Sequence, residues 1–372
     1  MRNVVVAGYA RSPFHLAGKG ALARVRPDDL AAQVIRGLIQ QTGVKAEDIE
    51  DIVLGCAFPE GEQGFNIARL IGLLADLPLS VGGMTVNRFC GSSMSSVHIA
   101  AGQIQLGAGE AFICAGVESM SRVPMMGFNP LPNPELAKKS AAYMGMGDTA
   151  ENVATKYQIT RAQQEAFAVA SQDKAAAAIA AGKLEAEIVP ITTKAGVVDK
   201  DGTPRAGTTT ETLAGLKPAF SQDGTVTAGT SSPLTDGASA ILVTSEDYAR
   251  AHGLPILARI KSVAVSGCQP EIMGIGPVEA SRKALQRAGL SVDQLDVVEL
   301  NEAFASQSLA CISDLGLDQS KVNLDGGAIA IGHPLGATGA RIVGKAAALL
   351  KREGGSYALA TQCIGCLLYT SP

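Results

Sequence analysis

The chain has 372 residues, of which 47% are hydrophobic and 18% are charged, and its net charge is −4. This length predicts two or three globular domains rather than one small core. The charge balance, with no basic block, argues against nucleic acid as the main partner, and no stretch reaches the apolar length of a membrane span. An anionic small ligand is compatible with these numbers, because helix N-termini bind phosphates without net positive charge.

The first part of the chain predicts strands that alternate with helices, which is typical of an α/β sheet with parallel pairs. Pro27 begins a helix whose first turn carries two acidic residues, as the helix dipole favours. The other predicted elements are strands at residues 4–7, 51–56, 83–87 and 111–115, and helices at residues 67–74 and 95–106.

Cys90 lies at the turn between a predicted strand and a predicted helix, in the run Asn87-Arg88-Phe89-Cys90-Gly91-Ser92-Ser93. Free N–H groups and the helix dipole at that position favour a thiolate, so we expect a lowered pKa and a reactive cysteine. The alternative is a buried structural cysteine, which is the commoner fate of this residue type.

The sequence changes character near Glu118. Residues 121–140 contain four prolines without a clean period, residues 161–181 predict a long helix, and residues 189–234 are rich in Thr, Gly and Pro. We expect residues 118–230 to form an inserted loop domain that covers a site. Residues 1–117 plus 231–255 would then form one half of the molecule, and residues 256–372 the other.

The last third of the chain repeats features of the first in the same order. Pro277 begins a predicted helix as Pro27 does, residues 292–299 resemble residues 47–54, and Val322-Asn323 corresponds to Val86-Asn87. Duplication explains this order better than chance similarity of two βαβ units. Two facing halves would place corresponding strand ends around one shared site.

Three residues of the second half are candidate partners for Cys90. Asn301 follows the predicted strand at residues 295–300, where parallel sheets collect ligands, although an Asx turn or helix cap is the alternative. His333 lies in a glycine-rich run before a predicted helix, and the alternative is a structural histidine. The spacing of the glycines fits no phosphate-binding loop. Cys363 lies at the end of a predicted strand that begins near residue 356.

The seven cysteines are scattered through a chain that begins like a first strand and carries no signal-peptide pattern. We therefore expect thiols rather than disulfides, and a cytoplasmic protein. Cys363 and Cys366 form a Cys-x-x-Cys pair, but no second pair or suitably spaced histidine accompanies it, so a zinc site is not expected.

Four segments, taken together, resemble the thiolases (acetyl-CoA C-acyltransferases), and the resemblance runs from Val4 to Gly365. These segments are residues 87–93, Asn301-Glu302-Ala303-Phe304, Gly332-His333-Pro334-Leu335-Gly336-Ala337-Thr338-Gly339 and Cys363-Ile364-Gly365. The resemblance implies a five-layered α-β-α-β-α fold of two similar βαβαβαββ halves with an inserted loop domain.

The same resemblance implies a role for each matching residue. Cys90 would be the nucleophile that carries the acyl group as a thioester. His333 would be its base and, with a water held by Asn301, an oxyanion hole. Cys363 would be the acid/base at the α-carbon, and the backbone N–H groups of Cys90 and Gly365 would form a second oxyanion hole.

The implied reaction is the ping-pong, reversible cleavage of a 3-ketoacyl-CoA by CoA to acetyl-CoA and a shortened acyl-CoA. CoA is then a substrate, no metal or other cofactor is implied, and thiolases are homodimers or homotetramers. Ser232 would lie near the pantetheine of CoA and Met146 near the acyl group. Pro233 and Gly145 differ from acetoacetyl-specific members, which favours longer chains and a degradative role in fatty-acid β-oxidation.

Two alternatives accompany this expectation: a biosynthetic acetoacetyl-CoA thiolase, and a catalytically impaired CoA- or lipid-binding relative. A decarboxylating ketoacyl synthase is disfavoured, because it would have a histidine where Asn301 stands. After Gly365 the family continues with a Gly-Gly-Gln-Gly-type loop and a final strand, whereas this chain reads Cys366-Leu367-Leu368-Tyr369-Thr370-Ser371-Pro372. We expect the loss of the final strand to expose the edge of its neighbouring strand and apolar helix faces. This loss should lower the stability and the activity of the protein.

Overall fold

A computed structural model describes residues 2–365. Its strands are β1 (Val4–Arg11), β2 (His15–Leu16), β3 (Ile49–Gly55), β4 (Gly82–Val86), β5 (Ala111–Ser119), β6 (Ile191–Thr193), β7 (Gly196–Val198), β8 (Thr235–Ser245), β9 (Ala258–Arg259), β10 (Val297–Leu300) and β11 (Ala358–Thr361). Its helices are α1 (Pro27–Thr42), α2 (Ile67–Leu74), α3 (Ser92–Leu106), α4 (Pro134–Lys139), α5 (Met146–Lys156), α6 (Arg161–Ala180), α7 (Thr210–Ala214), α8 (Glu246–Ala251), α9 (Gly276–Ala288), α10 (Ala305–Leu315), α11 (Ala328–Ile331) and α12 (Leu335–Glu353).

The larger sheet has the strand order β4-β3-β5-β8-β1-β9, with β2 paired to β8. Strand β3 pairs in parallel with β4 and β5, as the alternation of strands and helices predicted. Strand β8 runs antiparallel to both β5 and β1. The sheet is therefore mixed, because β8 follows the long segment at residues 120–234 instead of a short crossover helix.

Both faces of this sheet are covered, which explains why β1, β5 and β8 are buried along their whole length. Alternate residues of β5 point to opposite faces. Ile113 packs in the core that contains α1 and α2, whereas Phe112 packs with α3 and α12. This double burial accounts for the continuous apolar runs in the sequence of these strands.

The second half of the chain forms a smaller sheet. Strands β10 and β11 pair in parallel, and Val322 joins β10 through a single parallel bridge. Helices α9 and α10 pack with this sheet through Leu285, Cys311 and Ile312. Helix α12 contacts both the large sheet and β10–β11. The layers are therefore α1/α2, large sheet, α3/α12, small sheet and α9/α10, which confirms the five-layered fold.

The two halves use the same local signals. Helices α1 and α9 both carry proline in the first turn and both end at a left-handed glycine, Gly43 and Gly289. A 3₁₀ turn, at Ala46–Asp48 in one half and Val292–Gln294 in the other, then leads into β3 or β10. The structure therefore repeats where the sequence repeats.

Helices α4 to α7 and the β6–β7 hairpin lie between β5 and β8. This segment is tied to the large sheet by Arg11, whose buried guanidinium binds Glu187 at 2.7 Å and Asp201 at 2.7 Å. The boundaries predicted for a separate inserted domain stay a prediction.

The outer edge of β11 faces a cavity of about 930 Å³. The small side chains of α9 and α12 that line it include Ala280, Ala284 and Ala346. Residues 366–372, whose sequence differs from that of the family, lie outside the described residues. Within residues 2–365, no helix is both long enough and apolar enough to cross a membrane.

Candidate active site

Cys90 lies in a 3₁₀ turn, Phe89–Gly91, between β4 and the first residue of α3. Phe89 has a φ of +44°, and the Asn87 side chain fixes the turn by accepting a hydrogen bond from the Phe89 N–H at 2.8 Å. Gly91 allows the Ile364 side chain to pack against this turn, because a Cβ at position 91 would overlap with it. The prediction that Cys90 lies at or next to the start of a helix is confirmed.

The predicted lowering of the Cys90 pKa is wrong for this structure. Burial raises the pKa of the thiol to about 11, although the backbone N–H groups of Gly365 and of Cys90 itself favour the thiolate. The sequence indicates that Cys90 lies at the start of a helix. The depth to which Cys90 is buried depends also on residues from the second half of the chain, such as Leu335 and Gln362. Cys90 is therefore a neutral thiol in the resting protein.

The turn after β11 packs directly against Cys90. The Gln362 side-chain amide donates to the Cys90 carbonyl oxygen at 2.8 Å, and the Gly365 N–H lowers the pKa of the Cys90 thiol. Cys363, between these two residues, is buried, and burial raises its pKa well above the ordinary thiol value. The structure therefore brings Cys90, Cys363 and Gly365 together, as the sequence predicted.

His333 sits at the start of α12 in a backbone turn that requires Gly332, whose φ is +107°. The His333 N–H donates to Thr235 Oγ1 at 3.0 Å, and its ring lies between Thr338 and Asn301. Nδ1 is 2.6 Å from Thr338 Oγ1, and Nε2 is 3.4 Å from Asn301 Nδ2. The predicted pairing of His333 with Asn301 is thus present in the geometry.

The His333 ring is uncharged at neutral pH. Burial lowers its pKa to about 3, and the positive charge of Arg341 contributes in the same direction. Asn301 is also fully buried, and its Oδ1 has no hydrogen-bond partner among the described residues. An uncharged imidazole can accept a proton, and the free amide oxygen of Asn301 is available to a water or substrate group.

Glu118 connects the Cys90 side of the site to the His333 side, and sequence reasoning missed it. Its buried carboxylate accepts hydrogen bonds from the Ala57 N–H at 2.8 Å, the Gln63 amide at 2.8 Å and the Gly336 N–H at 2.9 Å. Its place near the carboxyl end of the buried strand β5 is the signal that could have revealed it.

The two substrate-binding candidates lie near this centre. Met146, the first residue of α5, packs with Cys363 and Phe304, and a Cβ on Gly365 would overlap with its sulfur. The Ser232 N–H donates to the Ala303 carbonyl at 3.0 Å, two residues beyond Asn301. Among the described residues, no group of three or more His, Cys, Asp or Glu side chains could hold a metal.

These residues combine a cysteine beside a helix start, a second cysteine, and an uncharged histidine paired with an amide, on a five-layered duplicated fold. The sequence matches "Thiolase, N-terminal domain" over residues 4–247 and "Thiolase, C-terminal domain" over residues 254–368. The chain belongs to the thiolase family.

Within the family it is similar to proteins named 3-ketoacyl-CoA thiolase. It is 47% identical to that of Bacillus subtilis, over 98% of this chain and 97% of the relative, and 48% identical to that of Aliivibrio fischeri, with the same coverage. Its fold matches the Bacillus anthracis acetyl-CoA acetyltransferase with a TM-score of 0.91 at 40% identity, covering 99% of this chain and 97% of that one. Human mitochondrial 3-ketoacyl-CoA thiolase, solved with CoA, gives a TM-score of 0.91 at 38% identity, covering 98% and 96%.

Proposed function

We propose that this chain is a 3-ketoacyl-CoA thiolase, an acyltransferase that cleaves 3-ketoacyl-CoA with CoA to acetyl-CoA and a shortened acyl-CoA. The observation that carries the proposal is the packing of the Cys363–Gly365 turn on Cys90, in a site that also contains the His333–Asn301 pair. The names of its relatives, at 47% and 48% identity over nearly the full chain, support the same activity.

The first step is attack by Cys90 on the 3-keto carbon. A thiol with a pKa of about 11 is almost fully protonated at neutral pH, so its proton has to leave as the carbon–sulfur bond forms. His333 Nε2 takes that proton, because burial keeps the ring neutral. The bond between C2 and C3 then breaks, and its electron pair moves to C2 and to the thioester oxygen of the departing acetyl-CoA enolate.

The developing negative charges are stabilised at two places. His333, now protonated at Nε2, and a water held by Asn301 face the enolate oxygen. The N–H groups of Gly365 and Cys90, which both favour the Cys90 thiolate, would bind the oxygen of the acyl group on that sulfur. Losing one such donor typically lowers kcat by about 10²–10³.

Cys363 completes the first half of the reaction. Its thiol gives its proton to C2, which releases acetyl-CoA and leaves a thiolate at Cys363. In the second half, that thiolate takes the proton of incoming CoA, whose sulfur attacks the acyl carbon. Cys90 leaves as a thiolate and recovers its proton from His333, so the site returns to its starting state.

The proposal also covers substrate binding, oligomeric state and cellular compartment. Met146, which packs against Cys363, borders the acyl chain, and Ser232 contacts the pantetheine of CoA. The differences at Gly145 and Pro233 favour longer acyl chains and a degradative role in fatty-acid β-oxidation. The enzyme works as a cytoplasmic homodimer or homotetramer, with CoA as a substrate and without a cofactor.

A thiolysis assay over a series of 3-ketoacyl-CoA chain lengths tests this proposal. We expect the full chain to release acetyl-CoA from medium or long substrates faster than from acetoacetyl-CoA, and Cys90→Ala to abolish release. A preference for acetoacetyl-CoA would favour the biosynthetic alternative. Binding of CoA without turnover of any substrate would overturn the enzymatic proposal in favour of a catalytically impaired relative.

A further inference from the structure

The Thr338 side chain makes two contacts that bear on which nitrogen of the His333 ring carries the proton. Thr338 is fully buried, and its Oγ1 is 2.6 Å from His333 Nδ1 and 3.1 Å from the Pro334 carbonyl oxygen. A carbonyl oxygen only accepts hydrogen bonds, and a threonine hydroxyl has one proton to donate. If the hydroxyl donates to Pro334, then Nδ1 has to donate to the hydroxyl oxygen.

The other side of the ring gives the same assignment independently. The amide nitrogen of Asn301, which is a hydrogen-bond donor, lies 3.4 Å from His333 Nε2. A donor beside Nε2 requires a lone pair there and therefore a proton on Nδ1. Two contacts, from Thr338 and from Asn301, thus point to the same neutral tautomer.

We propose that Thr338 is a positioning residue that holds neutral His333 in the Nδ1–H tautomer and keeps the Nε2 lone pair directed into the site. This rests on the proposed function, in which Nε2 accepts the proton of Cys90. The hydroxyl oxygen accepts from Nδ1–H both before and after that transfer, so the ring need not reorient during the cycle. Thr338 itself touches neither the substrate nor the reacting atoms.

Removing the hydroxyl should change the tautomer. In Thr338→Val the Nδ1–H would be buried without an acceptor, which disfavours that tautomer relative to Nε2–H. The Nε2–H form has no lone pair at the reacting position and cannot act as a base toward Cys90. We expect kcat to fall on the order of tenfold to hundredfold, the range that one unmet buried donor implies, while KM changes little.

The experiment combines ¹⁵N NMR of histidine-labelled protein with thiolysis kinetics, for the wild type, Thr338→Val and Thr338→Ser. His333→Ala identifies the His333 ring signals by their loss. We expect wild type and Thr338→Ser to show a protonated Nδ1 and an unprotonated Nε2, with similar kcat. Thr338→Val should show a gain of the Nε2–H signal together with the loss of kcat.

An Nε2–H signal in the resting wild type would overturn the proposal, as would a Thr338→Val variant with unchanged kcat and ring signals. The NMR measurement uses no substrate, so it separates this inference from the proposed function. An Nδ1–H signal in a protein without thiolase activity would leave the tautomer assignment intact and refute the activity. If Thr338→Val does not fold, the wild-type and Thr338→Ser spectra still decide the tautomer.

Discussion

At the scale of single residues, the protonation of the site is set by burial. Cys90 and His333 are both buried, which raises the pKa of the thiol to about 11 and lowers that of the imidazole to about 3. Both shifts favour the uncharged pair over a thiolate–imidazolium pair. In the proposed reaction the Cys90 thiolate therefore forms only when substrate and oxyanion donors stabilise the charge that develops.

This protonation state predicts the pH dependence of Cys90 alkylation by iodoacetamide. Only the thiolate reacts, so the rate should rise about tenfold per pH unit between pH 7 and 9, without a plateau below pH 10. The measurement is mass spectrometry of the Cys90 peptide over time. Cys268, which is exposed, provides a comparison within the same protein. A plateau at Cys90 near pH 7 would instead indicate the thiolate that the helix position alone suggests.

The sequence identified which residues meet but not their charge states. Cys90, Asn301, His333 and Cys363 could be found from strand ends and glycine-rich turns. The direction of the Cys90 pKa shift could not, because the groups that bury Cys90 come from distant parts of the chain, including Phe58, Leu335 and Gln362. Glu118 was missed because one of its partners, Gly336, lies in the other half of the chain. Thr338 was missed although its partners His333 and Pro334 are close in sequence, because the orientation of the His333 ring is visible only in the structure.

At the scale of elements, the site depends on the close approach of α3 and α12. Gly339 on α12 lies against the backbone of Met94 on α3, so that a Cβ at Gly339 would overlap with the Met94 nitrogen. Helix α3 begins two residues after Cys90, and α12 begins two residues after His333. The spacing of these two helices therefore affects the distance between Cys90 and His333.

Gly339→Ala should therefore destabilise the protein by about 1–3 kcal/mol, the usual effect of overpacking a core, and lower kcat. Gly102→Ala is the matched control, because it lies within α3 and a Cβ there meets nothing within 4 Å. The control should stabilise the helix by about 0.5–1 kcal/mol. Urea denaturation measures both effects, and equal stability of the two variants would refute this account of the helix contact.

Most elements could be predicted from local patterns in the sequence. Helix α2 was predicted with its observed limits, and α1 was predicted from Pro27 and its acidic first turn. The antiparallel direction of β8 could not be predicted, because it depends on the path of the 115-residue segment between β5 and β8. Local sequence patterns indicate which residues form a strand. They do not indicate where in the sheet that strand pairs, or in which direction, when a long segment precedes it.

At the scale of the whole molecule, buried ion pairs join the parts of the chain. Lys345 on α12 binds Glu187 at 2.8 Å and Asp325 at 2.7 Å. Arg11 on β1 binds the same Glu187 at 2.7 Å, and Arg352 binds the same Asp325 at 2.6 Å. The network thus connects the first strand, the segment between β5 and β8, and the second half. These cations hold the pKa of Glu187 and Asp325 below the usual range despite burial.

Lys345→Met should destabilise the protein by about 3–5 kcal/mol at pH 7, because two buried carboxylates lose their shared cation. Their lowered pKa values stabilise the wild type above the unfolded-state pKa, and this contribution is lost as the pH falls through the folded-state values. The deficit of the variant should therefore persist from pH 7 to pH 5 and shrink only as the pH falls below about 4, the ordinary carboxyl pKa. Lys351→Met, at an exposed position of the same helix, should stay within about 0.5 kcal/mol of wild type in urea denaturation.

The central claim is that Cys90 carries the acyl group, and peptide mass spectrometry tests it most directly. The full chain is incubated with a 3-ketoacyl-CoA in the absence of free CoA, digested, and searched for acylated peptides. We predict an acyl group, shortened by the acetyl unit, on Cys90, and its removal when CoA is added. Acylation at another residue instead, or acylation that persists unchanged in Cys90→Ala, would contradict the account.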